Sequence, residues 1–439
     1  MIIALVIFVI TYALMLAFQE KRPYIALSSA LILTLLGCFG LYEMNFISAL
    51  KAVDYNVLMM ISATMAIVTL FIESKMPVRL AELMMTKVPN VMWAVAALSL
   101  FAGVVSAFVD NVATVLMVAP VGLAISRKLK ISPVPVLISI AVSSNLQGAA
   151  TLVGDTTSIL LGGYADMNFM DFFWMDGRLG IFWAVELGAL ASLLVVFWLF
   201  RRDREKISCT VETEVEDMFS SWLMIAVVVC LILVSFIPRP AGQTAQTIYD
   251  MRSGLTCMVL CIIGLIRYCA KEKSADPIKR VLRDLDLQTL LLLFGLFIVI
   301  EAIRAAGVID AISVIFYRIS GDNALVLYVA IVAVSVLLSA FIDNIPYVAT
   351  MLPVVGGIAA LMNNGQGVDP TVFYFGLLTG ATLGGNLTPI GASANITAIG
   401  ILRKNGETVT SKDFLRIGIP FTLTAVIVGA LFIWFVWGV

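Results

Sequence analysis

Asp110 and Asn111 stand in the run SAFVDNVATVLMVAP (106–120), and Asp343 and Asn344 stand in SAFIDNIPYVATMLP (339–353), which aligns with it without gaps. Both aspartates lie in strongly apolar stretches, where a carboxylate is costly and is usually there for function. Carboxylate and amide oxygens side by side suit a hard cation or a proton. Further on, GAATLVG (148–154) matches GNLTPIG (385–391), which pairs Thr151 with Thr388 and Gly154 with Gly391. Asp155, Thr156, Ser393, Asn145, Asn386 and Asn395 fall in the same polar blocks and complete an oxygen-rich candidate set. Asp and Asn are also favoured helix N-caps, so a capping role is compatible with ion binding.

Around these residues the chain is oily. Of 439 residues 61% are hydrophobic and 13% charged, with a net charge of −1 and a mean hydropathy of +1.03. That composition belongs to an integral membrane protein, since soluble domains are nearer half apolar and a quarter charged. A crossing helix needs ~20 apolar residues. Such segments recur at 2–18, 24–41, 56–73, 90–126, 135–165 and 179–200. They return at 221–237, 254–270, 288–303, 324–361, 371–401 and 420–438. Continuous apolar runs favour helices over a barrel. Residues 2–18 lack the flanks of a secretory signal and read as a first helix. A half-charged linker at 201–220 divides the first repeat (1–200) from the second (221–439).

Lysine and arginine concentrate on the cytoplasmic side of membrane helices. With the N-terminus outside, and with 90–126 and 324–361 each returning to its own side, all but six of the 28 basic residues fall inside. The exceptions are Lys51, Arg178, Arg239, Arg252, Arg304 and Arg318. Both termini are then outside and the linker cytoplasmic. Matching points of the halves face opposite ways, which is the inverted-repeat plan of many transporters. The glycine-, threonine- and asparagine-rich stretches at 143–158 and 384–395 read as helices that unwind mid-membrane, within 135–165 and 371–401. The expected fold is an all-α polytopic membrane protein of two inverted repeats. It has about ten transmembrane helices, two re-entrant hairpins (90–126 and 324–361) and two broken helices.

At SAFVDNVATVLMVAP, SAFIDNIPYVATMLP and GGNLTPIGASANITAIGILRKNGETVTSKDFLRIGIP (384–420), the chain resembles the ion transporter superfamily. Within it the resemblance is to the branch of arsenical efflux permeases, NhaD-type sodium/proton antiporters and the P protein. The related sodium-coupled dicarboxylate carriers bind sodium with Ser-Asn-Thr at their hairpin tips. By position, Asp110-Asn111-Val112 and Asp343-Asn344-Ile345 stand there in this chain, so the resemblance implies sodium at Asp110, Asn111, Asp343 and Asn344. The added carboxylate charge suggests proton coupling. The resemblance further implies a scaffold domain, a mobile transport domain, elevator-like movement and a homodimer. One signature departs: arsenical permeases usually read Thr-Pro-Ile-Gly-Asp-Pro-Pro-Asn, whereas residues 151–158 read TLVGDTTS, nearer the NhaD pattern.

Other chemistries fit less well. Cys257 and Cys261, four apart on one helix, have the spacing to hold trivalent arsenic as thiolates, but buried cysteines are more often small core residues. Glu186 and Glu301 are candidate proton relays or helix-end carboxylates that snorkel. Two buried aspartates also suggest an intramembrane protease, yet Gly-Asp occurs only at 154–155 and 321–322, preceded two places earlier by Leu152 and Ile319 instead of the glycine of the Gly-x-Gly-Asp signature. No phosphate-binding loop is present, no basic tail suits nucleic acid, and six cysteines without a spacing framework do not suggest disulfides. The expectation is therefore a non-enzymatic secondary transporter in the cell membrane, without cofactor. It moves a small inorganic ion, an anion or arsenite, coupled to protons or sodium. A sodium/proton antiporter is the near alternative, and an ion channel on the same scaffold the next. The chain has no histidine, so proton handling falls to Asp or Glu.

Overall fold

The computed structural model describes residues 1–129, 131–206, 211–215 and 217–438. Lys130, counted above among the cytoplasmic charges, and Cys209 of the linker lie outside the described residues. Among the described residues the fold is all-α apart from one small antiparallel pair, Trp174–Met175 with Arg178–Leu179, and an isolated bridge between Asn90 and Lys206. Among the described residues seven helices are long and apolar enough to cross a membrane, and shorter apolar helices accompany them. The protein is a multi-pass membrane protein.

Each segment carrying an Asp-Asn pair folds as a helical hairpin. The first is Val91–Ser106 followed by Asn111–Leu129, the second Ala324–Ser339 followed by Asn344–Gly365. The turn forms because aspartate caps the returning helix. Asp110 Oδ1 accepts the Val112 and Ala113 N–H groups at 3.0 and 3.1 Å, and Asp343 Oδ1 accepts that of Ile345 at 3.1 Å. Pro120 and Pro353 then sit inside the two returning helices, each removing one backbone hydrogen bond at the same place.

The polar stretches downstream are interrupted helices. Pro133–Gln147 starts with Ser132 as its cap and a proline in its first turn. It breaks at a 3₁₀ turn over Gly148–Ala150 and resumes as Thr156–Tyr164. In the second half Thr371–Leu378 widens into a π-helical turn at Thr379–Leu383, breaks at Gly385–Leu387 and resumes as Ser393–Lys404. The breaks share one backbone: Thr151 has φ −129° and ψ 163°, and Thr388 has φ −126° and ψ 160°. They occupy the centre of the molecule. Residues 133–150 are 94% buried inside the protein, against 39% for the span Ile181–Leu199. Outer helices show Leu194, Leu233, Ile266 and Phe435 more than 60% exposed, as side chains facing acyl tails do.

The two halves also match ahead of the hairpins. Asp54 caps Tyr55–Glu73 through the Val57 N–H, and Asp286 caps Leu287–Ala305 through the Thr289 N–H, both at 3.0 Å. Each hairpin is preceded by a short helix, Met76–Met85 or Val308–Ser320, absent from the list of apolar segments because its composition is mixed. Each of these helices starts from a left-handed residue, Lys75 at φ 61° and Gly307 at φ 71°.

Candidate functional site

Both hairpin tips and both helix breaks meet at a cavity of about 490 Å³. Of the fourteen candidate residues, Asp110, Asn111, Asn145, Asp155, Thr156, Asp343, Asn344 and Ser393 line it. Gly154 lines an adjoining space of about 20 Å³ with Thr64, Asp110, Asp155 and Thr156. Thr151, Asn386, Thr388, Gly391 and Asn395 line neither.

These five hold the framework together. The Thr151 hydroxyl donates to the Ala107 carbonyl and that of Thr388 to the Ala340 carbonyl, which ties each break to the bend of its own hairpin. A side chain on Gly391 would meet Gly385 O at 2.5 Å and Ser339 O at 2.8 Å. On Gly154 it would meet Gly148 O at 2.6 Å and Ala107 O at 2.7 Å. At this close approach of break to hairpin only glycine fits. The Asn395 amide donates to Gly385 O and Thr388 O at 3.2 and 3.3 Å.

A string of amides joins the halves. Asn111 Nδ2 donates to Asn145 Oδ1 at 3.0 Å, Asn145 Nδ2 to Asn386 Oδ1 at 3.1 Å, and Asn386 Nδ2 to Val142 O at 2.9 Å. Asn145 Nδ2 also reaches Thr382 O at 2.8 Å. Asp155 Oδ1 accepts the Thr156 N–H at 2.8 Å and Oδ2 accepts the Thr157 hydroxyl at 3.0 Å. Thr157 lies 3.0 Å from the Thr382 hydroxyl of the other half. Neither Thr157 nor Thr382 is among the residues singled out from the sequence, although "GDTTS" places one of them beside Asp155.

Charge sets the character of the cavity. Glu73, Asp110, Asp155, Asp284, Asp286 and Asp343 line it, and no described lysine or arginine does. Glu73 is held by Arg280 at 2.9 Å, and Arg280 also pairs with Glu272 at 2.6 Å. Asp343 accepts from Arg22 Nη1 at 2.9 Å, with the two side chains 17% and 14% exposed. Arg22 counts as a loop charge in the sequence, because it follows Lys21 at the start of an apolar helix. In the fold it reaches a hairpin tip.

A second cavity, of about 540 Å³, lies at the opposite ends of Tyr55–Glu73 and Leu287–Ala305. Asp54, Glu301, Arg304, Tyr164 and Tyr374 line it, and none of the fourteen candidates does. Glu186 lines neither large cavity. Cys257 and Cys261 are 0% and 5% exposed, in the packing between helices and outside both cavities.

Comparison with known proteins bears on what this arrangement is. The citrate transporter family (CitMHS) matches residues 12–380. A 46 kDa membrane protein of Mycobacterium leprae is 30% identical over 451 residues, covering 99% of this chain and 98% of its own. The P protein of Homo sapiens is 25% identical over 413 residues, covering 78% of this chain and 48% of its own. Among solved structures the YdaH transporter of Alcanivorax borkumensis aligns with a TM-score of 0.60 at 12% identity, over 95% of this chain and 97% of that one. MtrF of Neisseria gonorrhoeae, described as one of a class of antimetabolite efflux pumps, aligns at 0.56 and 13%, over 89% and 83%. The resemblance to the ion transporter superfamily and its P protein branch is borne out. At such low identity the two structures speak for the fold alone.

Proposed function

Because the chain belongs to the citrate transporter (CitMHS) family, we propose that it is a secondary active transporter whose coupling cation, sodium or a proton, binds between Asp110 and Asp155. The observation that carries this reading is the space of about 20 Å³ shared by those two carboxylates beside the main cavity. A space of that size holds about one water or one small ion. The oxygens around it, from Asp110, Asp155, Thr156 and Thr64, are the hard donors a sodium ion takes.

For the cargo the acid lining supports a cation. Of its six carboxylates Glu73, Asp284 and Asp343 pair with arginines, and Asp110, Asp155 and Asp286, without such a partner among the described residues, favour cations over anions. Sodium/proton antiport is therefore the simplest complete reading, and a bare arsenical or inorganic anion the poorer fit. The family's citrate description supports a second reading, and the main cavity is roomier than a single ion needs. Citrate carries up to three negative charges, so in this cavity it would have to travel with cations. In either case access alternates between the acid-lined cavity and the one at the opposite ends of the same helices, the hairpins and broken helices moving as an elevator against the rest.

Purified protein in vesicles holding a pH dye tests the assignment. Sodium-driven proton movement that disappears in Asp110→Asn establishes antiport. Citrate uptake that requires sodium, protons or magnesium establishes the second reading. A protein inert to all of these, or one that carries arsenite without any cation, contradicts the proposal.

A further inference from the structure

We propose that Arg22 is a resident cation at the second hairpin tip, leaving Asp110 as the single tip where a coupling cation binds. The proposal rests on the cation-coupling reading above and adds a stoichiometry and a residue to it.

The two tips begin as equals. Both aspartates cap a returning helix and both face the cavity. At the second tip the position a cation would take beside Asp343 Oδ2 is filled by Arg22 Nη1, 2.9 Å away. The guanidinium is anchored from behind, since Nε donates to the Met15 carbonyl at 3.2 Å. The preceding helix, Ile2–Ala17, is pinned to the same hairpin by the Tyr12 hydroxyl, which donates to the Pro346 carbonyl at 2.7 Å. A delocalised guanidinium on a fixed fork is well suited to such a permanent post.

The inverted plan offers a second arginine, and it is used differently. Arg22 opens the second long helix of the first half and reaches the tip belonging to the second half. The matching helix of the second half, Arg252–Glu272, also opens on an arginine. Arg252 stays with its own segment: its Nη1 donates to the Tyr249 carbonyl at 3.0 Å and its guanidinium lies 3.9 Å over the Tyr249 ring. Among the described residues no lysine or arginine pairs with Asp110. The first tip has instead gained an acid: Asp155 faces it, where the second half has Ala392 with nearly the same backbone, φ −140° against −143°. One tip carries an extra negative charge and the other an internal positive one. Two cation sites inherited from one duplication have become a site and its counterfeit.

Uptake into vesicles, measured against sodium at fixed pH and against pH in sodium-free choline buffer, reads the number of cations. Wild type should follow the cation to about the first power, the limit for one site. Arg22→Gln frees Asp343 and should steepen the dependence towards the second power. Arg22→Lys, which keeps the charge but loses the fork, should restore first-power behaviour. So should Arg22→Gln combined with Asp343→Asn, which removes both charges and guards against failure of the single variant to fold. A folded Arg22→Gln protein with wild-type cation dependence overturns the proposal, as does a neutral double variant that no longer couples to any cation. If wild type and Asp110→Asn are alike indifferent to both cations, the fault lies in the cation-coupling reading itself.

Discussion

The two hairpin tips have the same sequence at their turn and the same cap, yet one faces a second aspartate and the other an arginine. Their scaffolding repeats almost atom for atom: Thr151 with Ala107 against Thr388 with Ala340, and Gly154 against Gly391. The side chains in the cavity diverge. Ser339 bonds Asn344 and the Ala381 carbonyl, whereas the hydroxyl of its counterpart Ser106 is buried without a partner among the described residues. Duplication has preserved what holds the backbone open and has changed what fills it.

Neutralising the two aspartates separately should separate the tips most strongly. Asp110→Asn should bring coupled flux to background with melting unchanged, because asparagine still caps a helix. Asp343→Asn should act mainly on stability. It strands Arg22 without its countercharge at a cost of up to about 3 kcal/mol, most of which Arg22→Gln in the same chain should recover in a thermal melt. Equal flux loss from both aspartates, without such recovery, would make the tips equivalent.

The framework, by contrast, should respond symmetrically. Gly154→Ala and Gly391→Ala each drive a methyl into three backbone carbonyls and should each destabilise by about 1–3 kcal/mol. Thr151→Val and Thr388→Val should each cost ~1 kcal/mol for the lost hydrogen bond. A clearly unequal pair in either chemical-denaturation series would show that the scaffold too has diverged.

Smaller effects lie away from the tips. At Asp217, on the linker side of Phe219–Ser235, partial burial pushes the carboxyl up. Bonds from Lys271, the Phe219 N–H and Arg267 outweigh it and hold the group down at about 2. A depressed carboxylate stabilises fully above its ordinary value of 3.8. That contribution fades as pH falls through the window down to about 2. Asp217→Asn should therefore lower melting slightly at neutral pH, by less than ~1 kcal/mol because its cations are largely exposed, and the difference should close in acid. The smallest effect is expected from Cys257→Ser with Cys261→Ser, which line neither large cavity. Arsenite flux lost in that pair would return the thiolates to the mechanism.

Much of the architecture was legible in the chain because its physics is local. Apolar runs of crossing length, Asp-Asn turns and glycine-threonine breaks announce themselves in single segments. The matching of the halves was visible where side chains are constrained by close approach, as at Gly154 and Gly391, and faded where only a cap or helix order is kept, as at Asp54 and Asp286. Candidate site residues are legible through the matched polar blocks, which cannot separate those facing a cavity from those bracing it. Thr151 and Asp155 look alike as oxygen donors, and only the fold turns one to Ala107 and the other to the ion-sized space. Arg22 was illegible for another reason. Its partner is 321 positions away, and nothing around residue 22 distinguishes a loop charge from one that enters the site.

Two chemically different tips must respond differently when each is neutralised. The most direct measurement is cation-coupled flux in matched vesicles for two variants, Asp110→Asn and the neutral pair Arg22→Gln with Asp343→Asn. Flux abolished in the first and still cation-coupled in the second is the expected result. Coupling that survives the loss of Asp110 but not the loss of Asp343 would contradict it.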